Sequence, residues 1–282
     1  MSFADRIAAC SVFTPGRYLP FRVDGRGVGL VARDFARKLA DFPDVFAVAG
    51  DAVRLRAGLV GFAQRTAAVE AALVRLRDRG DIVGWRDEPY PVGVSFAAPP
   101  LFNLERAAVP LFGVRAYGVH VNGFVRGDAG LAMWIGRRSL DKPTAPGKLD
   151  QLVAGGQPAG LSLRANLRKE CAEEADIPAA IADLAVPVGA VSYRTERPDG
   201  LRCDVLFVYD LELPASFQPR NTDGEITEFY LWPIGRVADI VRDTDDFKYN
   251  CALVVIDFLI RHGLIAPDHR EYLDLIDGLH SL

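Results

Sequence analysis

Apolar positions change period several times along this chain, and each change marks an element. From Gln64 to Arg79 they recur at helical spacing (Ala67, Val69, Ala72, Leu73, Leu76) until Gly80, which predicts an amphipathic helix. Before it, residues 1–20 read as a short helix and a Pro/Gly turn. FRVDGRGVGL (21–30) then gives two short strands about a glycine turn, and VARDFARKLA (31–40) a helix. Residues 45–48 and 52–55 flank Ala49-Gly50-Asp51 as a hairpin, and 82–94 are extended with turns. Ala98-Pro99-Pro100 punctuates the chain and leads into a helix ending near Gly113.

A second series follows. GVHVNGFV (118–125) and LAMWIGRRS (131–139) alternate around Gly127-Asp128-Ala129-Gly130 as a hairpin, and 142–150 is a loop. After Gly155-Gly156 comes a helix with Leu163, Leu167, Cys171 and Ala175 on one edge. Two strands surround Pro198-Asp199-Gly200, an acidic turn at 221–225 precedes another strand, and a short helix starts near Ile234. NCALVVIDFLIRHGLI is a strongly apolar helix stopping at Gly263, and a tail helix closes the pattern. Strands with helices for both faces predict an α/β sandwich of mixed sheet, residues 116–282, behind a smaller α+β extension over 1–115 that shapes substrate choice.

Composition adds exclusions. The 282 residues are half hydrophobic and a quarter charged with a net charge of −4, so no basic field points to nucleic acid or a membrane surface. Cys10, Cys171, Cys203 and Cys251 have no metal spacing and sit in apolar contexts, as reduced thiols do. No apolar run reaches the length of a membrane span and the start lacks a signal-peptide core, so the expectation is a soluble, cytoplasmic protein.

The chemistry concentrates in GGQPAGLSLRANLRKECAEEADI (155–177). Glu170, Glu173 and Glu174 stand at i, i+3 and i+4, so three carboxylates project from one side of a helix within about a turn and repel one another. A divalent cation relieves that repulsion, and an oxygen-only set favours Mg²⁺ or Mn²⁺. A solvated acidic helix face is the plain alternative.

This window resembles the Nudix box, G-x5-E-x7-R-E-U-x-E-E-x-G-U. Gly155, Glu170, Glu173, Glu174 and Ile177 match, while Leu161 replaces the first Glu, Lys169 the Arg, Cys171 the aliphatic position and Asp176 the late Gly. Further segments are similar to the Nudix segment of fungal thiamine pyrophosphokinases and its stand-alone relatives. They are WRDEPYPV (85–92), ERAAVPLFGVRAYGVHVNGFV (105–125), MWIGRRS (133–139), KPTAPGKLDQLVAGGQPAG (142–160), NTDGEITEFYLW (221–232) and CALVVIDFLIRHGLI (251–265). The resemblance implies a Nudix sandwich and a Mg²⁺-dependent pyrophosphohydrolase that cleaves oxo- or oxythiamine diphosphate to the monophosphate. Two alternatives stand beside it: a Nudix hydrolase of another diphosphate, such as ADP-ribose or a nucleotide sugar, and a degenerate Nudix fold serving as a ligand-binding module.

On that reading Glu170, Glu173 and Glu174 hold the metal, helped by the Gly155 carbonyl, and Glu225 joins Glu173 and Glu174 as a catalytic group, with Asp223 and Glu228 behind it. Arg137, Arg138, Lys142 and Lys148, leading into the box, suit phosphate oxygens, and Arg194 is a weaker candidate. His120, on one strand face with Asn122, is a candidate for the base pocket or a satisfied core histidine. Trp85, Tyr90 and Trp134 are stacking candidates for which core packing is the better reading. Asp257 pairs with Arg261 at i+4. The expected partner is a small-molecule diphosphate, with a homodimer as the assembly left open.

Overall fold

The computed structural model describes residues 1–282. Helix α1 (Phe3–Ala8), capped by Ser2, is followed by strands β1 (Tyr18–Val23) and β2 (Arg26–Ala32), helix α2 (Arg33–Leu39), and the hairpin β3 (Phe46–Ala49) and β4 (Ala52–Leu55). These strands form a four-stranded sheet in the order β2-β1-β4-β3. Helix α3 (Gly61–Asp78) buries Val69, Ala72, Leu73 and Leu76, all at most 2% exposed, in the core it shares with this sheet. Ala67, predicted inward, faces solvent. Arg65 is buried instead, bonding Asp24 at 2.7 Å and the Leu59 carbonyl at 3.0 Å.

The helix predicted to end near Gly113 is mostly something else. Residues Phe102–Glu105 form β6, antiparallel to β5 (Pro89–Val92), and only Val109–Phe112 make an α-helical turn, α4. The physical reason is period two: Phe102 and Leu104 are buried and face Val92 and Tyr90 across the ladder. Phe21, Phe46 and Phe112 centre this front core.

The second unit is built on β7 (Arg115–Gly127) and β8 (Gly130–Arg138). Then come β9 (Leu149–Asp150), β10 (Val153–Gly156), helices α5 (Leu163–Ala175) and α6 (Ala179–Ala182), β11 (Val186–Arg197), β12 (Gly200–Glu212) and β13 (Ile226–Pro233). Helices α7 (Ile234–Asp243), α8 (Tyr249–Arg261) and α9 (Tyr272–Gly278) complete it. The sheet runs β11-β12-β7-β8-β13, with β10 on β7 and β9 on β8; β12 is parallel to β7 and the other pairs are antiparallel, so the sheet is mixed.

Alternation along β7 sorts its two faces. Val119, Val121 and Val125 pack against Leu167, Cys171 and Ala175 of α5, whereas Phe124 packs against α8. The result is an α/β/α sandwich. Helix α1 departs from the predicted division. Phe3, Ile7 and Cys10 bury against α8 and α9 rather than in the front core, because α1 is too short to cover its apolar side alone. No helix is long and apolar enough to cross a membrane.

Candidate active site

Ser162 caps α5, its hydroxyl accepting from the Ala165 N–H at 3.1 Å, and the Leu167-Cys171-Ala175 stripe is fully buried. Asp176 ends the helix in the left-handed conformation, φ 54°, with the Ile177 N–H reaching back to the Cys171 carbonyl at 3.0 Å. These constraints fix which way the three glutamates point.

Glu170 lies against Gly155 so closely that any Cβ there would overlap its carboxyl group. Burial raises its pKa above the ordinary range, opposed by Lys169 and, from the front unit, Arg106. Glu174 turns inward, 6% exposed, and accepts the Ala154 N–H at 2.7 Å. Burial, with Asp150 and Glu170 as like charges nearby, pushes it up to about 8 despite that bond. Glu173 faces solvent, and Lys169 Nζ bridges it at 2.6 Å to Glu170 at 3.2 Å. The Gly156 carbonyl accepts from Asn166 Nδ2 at 2.8 Å, which pins the turn to the helix it precedes.

Two loops close on these acids. Thr222 bonds the α5 carbonyls of Ala172 and Glu173, while the Glu225 N–H donates to Asp223 at 2.8 Å and the Ser139 N–H to the Glu225 carbonyl at 2.8 Å. Glu225 is ion-paired with Lys142. Burial and Arg138 bring Lys142 down to about 8, against the pull of Glu174. The structure thus brings together Gly155, Glu170, Glu173, Glu174, Glu225 and Lys142. The donor set is oxygen only, and its innermost member sits buried among like charges. Those features fit a hard divalent cation held by the three glutamates.

Other predicted residues are placed elsewhere. Arg138, 6% exposed, spends its donors on Asp150 (2.6 Å) and on the Thr144 and Ala145 carbonyls (2.8 and 3.1 Å), so it anchors the 142–148 loop instead of facing substrate. Arg137 bonds the Gly147 carbonyl at 2.9 Å and Tyr230, and Lys148 the Asp245 carbonyl at 2.6 Å. Arg194, on the edge strand β11, lies over Phe13 at 5.0 Å with β12 and β7 between it and β10. His120 is 3% exposed and bonds Gln151 at 2.9 Å on the α8 side, the face opposite α5. Burial lowers its pKa to about 4. It is a satisfied core histidine, for β-strand alternation turns it away from its neighbours Val119 and Val121.

Ligand atoms of His120, Asp150 and Cys251 lie within 4.8 Å of one another. Asp150 is already neutralised by Arg138 and Lys248 and accepts the Cys251 thiol at 2.6 Å, so this is a polar knot in the core. Trp134 is buried, and Trp85 lies under Arg77 at 4.8 Å. Asp257 pairs with Arg261 at 2.7 Å, as expected.

Two residues that reach the glycine turn come from the front unit. Tyr90 sets its hydroxyl against Gly156, and Arg106, paired with Glu88 at 2.7 Å, stands beside it. The sequence offers Tyr90 only as a stacking candidate and gives Arg106 no distinguishing local pattern, since both are brought there by packing between units.

Comparison with known proteins identifies the class that this geometry defines. Nudix hydrolase 20, chloroplastic, of Arabidopsis thaliana is 47% identical over 275 residues, covering 94% of this chain and 74% of that protein. Nudix hydrolase 24, chloroplastic, of the same plant is 49% identical over 268 residues, covering 94% and 73%. An uncharacterized protein of Saccharomyces cerevisiae is 35% identical over 214 residues, 71% of this chain and 62% of that one. Residues 2–116 match a family model described as a domain of unknown function, DUF4743. The NUDIX domain of Shewanella oneidensis NrtR, solved with ADP ribose, overlays 54% of this chain and 90% of its own at 15% identity and a TM-score of 0.42. The chain belongs to the Nudix hydrolases. It is a hydrolase of pyrophosphate bonds, and enzymes of this family work with divalent metal ions.

Proposed function

We propose that this Nudix hydrolase uses Mg²⁺ (or Mn²⁺) to cleave the diphosphate of a thiamine diphosphate-like molecule, converting oxo- or oxythiamine diphosphate to the monophosphate in the cytoplasm. The observation that carries the reaction is the cluster of three α5 carboxylates at the glycine turn, Glu170 against Gly155, Glu174 on the Ala154 N–H and Glu173 tied to Glu170 through Lys169, with the Glu225–Lys142 pair brought from two loops. A bound cation would screen the diphosphate and acidify a water. Glu170, Glu173 and Glu174 would hold it, with the Gly155 carbonyl as a further oxygen. We assign Glu225, whose Oε2 accepts from Lys142, as the base that would take the proton of the attacking water, with Glu173 and Glu174 as the other carboxylates that can share that role. Lys142 then serves as a point charge for a phosphate oxygen. The thiamine assignment is supported by the flanking segments that resemble the thiamine pyrophosphokinase type. The cytoplasmic one rests on four buried free thiols.

The test is turnover of oxythiamine diphosphate, ADP-ribose and a nucleotide sugar with Mg²⁺, read as inorganic phosphate and oxythiamine monophosphate from the first and as nucleoside monophosphate from the other two. The expected outcome is preferential turnover of oxythiamine diphosphate, abolished by a chelator and reduced at least about a hundredfold by Glu174→Gln. Turnover of ADP-ribose with none of oxythiamine diphosphate would overturn the substrate assignment.

A further inference from the structure

The front unit touches the site along one short hairpin. Pro89 accepts the Ala159 N–H at 2.8 Å, and the next residue, Tyr90, seats its hydroxyl on Gly156. Arg106 follows β6, its guanidinium half exposed, 5.8 Å from the Tyr90 ring centroid and near enough to Glu170 for its charge to favour the carboxylate. An added Cβ on Gly156 would stand 3.7 Å from Arg106 Nη2, so a guanidinium of the front unit lies at the edge of the metal-binding turn.

One step further along both segments is a cavity of about 210 Å³. Its walls include Pro91 and Phe96 from the front unit, Tyr117 from β7, and Gln157 and Leu161 from the box, and no charged side chain lines it. Phe96 is 47% exposed, with its ring centroid 4.8 Å from that of Tyr117 and 4.8 Å from that of Phe207. Leu161 is 39% exposed, an apolar side chain at the position where the box pattern has a glutamate. Gln157, 3% exposed, donates Nε2 to the Leu161 carbonyl at 2.7 Å and leaves Oε1 without a partner. An aromatic floor, an apolar mouth, an unsatisfied amide acceptor and no charge together suit a flat heteroaromatic ring bearing an N–H donor.

We propose that this cavity is the subsite for the ring of the substrate and that Arg106 contacts the phosphate joined to it, so that the front unit completes the active site. The proposal rests on the diphosphate-hydrolase reading above and gives the Leu161 departure a purpose. A glutamate at that position would bring charge to a neutral ring pocket.

The test is calorimetric binding to the full chain with Mg²⁺, using thiamine monophosphate and AMP as ring-bearing probes and inorganic pyrophosphate as the ring-free one. Phe96→Ala is expected to weaken the ring-bearing probe that the parent binds by at least about tenfold, the loss of one stacked ring, and to leave pyrophosphate unchanged. Arg106→Gln weakens both kinds. Phe62→Ala, an exposed phenylalanine elsewhere in the front unit, changes neither. The subsite is overturned if neither ring-bearing probe binds the parent, if Phe96→Ala stays within about twofold for them, or if it weakens pyrophosphate equally. Binding of AMP but not of thiamine monophosphate, lost in Phe96→Ala, would sink the thiamine assignment while the subsite stands.

Discussion

An alanine at position 155 tests the placement of Glu170 without altering a carboxylate. Gly155 lies in β10 outside the left-handed region, so its backbone accepts a side chain. The new Cβ would stand inside 3.0 Å of Glu170 Cγ, Cδ and Oε2, whereas ordinary contact begins at 3.4 Å. The strand cannot yield easily, being paired to β7 with Gly155 opposite Val119. The carboxyl must therefore retreat by roughly 1 Å, and a misplacement of that size at a reacting centre costs about a hundredfold in rate, or about 2.7 kcal/mol. The assay is kcat/KM across a Mg²⁺ titration, where the apparent Mg²⁺ requirement rises as kcat/KM falls. Gly127→Ala is the control, since a Cβ there meets nothing within 4 Å. A Gly155→Ala enzyme running within about threefold of the parent, with the same Mg²⁺ dependence, would refute Glu170 as a metal ligand at this turn.

Two further outcomes concern the opposite face of the sheet. His120 has its pKa held down to about 4 by burial, so the unfolded chain binds a proton that the folded one refuses as pH falls from 6.5. The stability it contributes is complete above that value and is lost by about 3 kcal/mol as pH drops to about 4. Urea midpoints at pH 7 and pH 4.5 should therefore lie closer together in His120→Asn, and an unchanged spread would contradict this. Arg138→Met leaves the buried Asp150 with only Lys248, at 3.7 Å, as a cationic partner. Breaking a buried pair costs about 3–5 kcal/mol, and urea unfolding showing less than about 1 kcal/mol would remove Arg138 as the anchor of the 142–148 loop.

What was legible in the sequence was whatever a local pattern determines. The α5 stripe, its three acids, the β7–β8 hairpin and the β11–β12 pair all follow from periods and turn residues within one window, and the left-handed Asp176 follows from its side chain. The stretch 101–113 carries no such local signal, because its period-two half, Phe102 to Glu105, is short and needs the non-adjacent segment Pro89–Val92 as a partner to become a strand. Arg137 and Arg138 show a second limit. Composition marks both as phosphate ligands, but the accepting carbonyls of Gly147, Thr144 and Ala145 exist only once the loop has folded back. Arg106 and Tyr90 lie furthest beyond reach, since no pattern in either segment points to Gly156.

The seat of α1 bears on how the protein is made. Ile7 packs directly beneath Gly278, where an alanine Cβ would strike it, so one wall of the second core is supplied from opposite ends of the sequence. A growing chain exposes α1 long before α8 and α9 exist to cover it, and the front sheet can assemble while that helix still waits. The sandwich is therefore completed only after α9 has left the ribosome, with Phe3 and Ile7 as apolar surface that must be shielded until then. Cutting the chain after residue 115 to isolate the hydrolase would remove not just a neighbour but this wall, opening to solvent the faces of α8 and α9 that Phe3 and Ile7 cover.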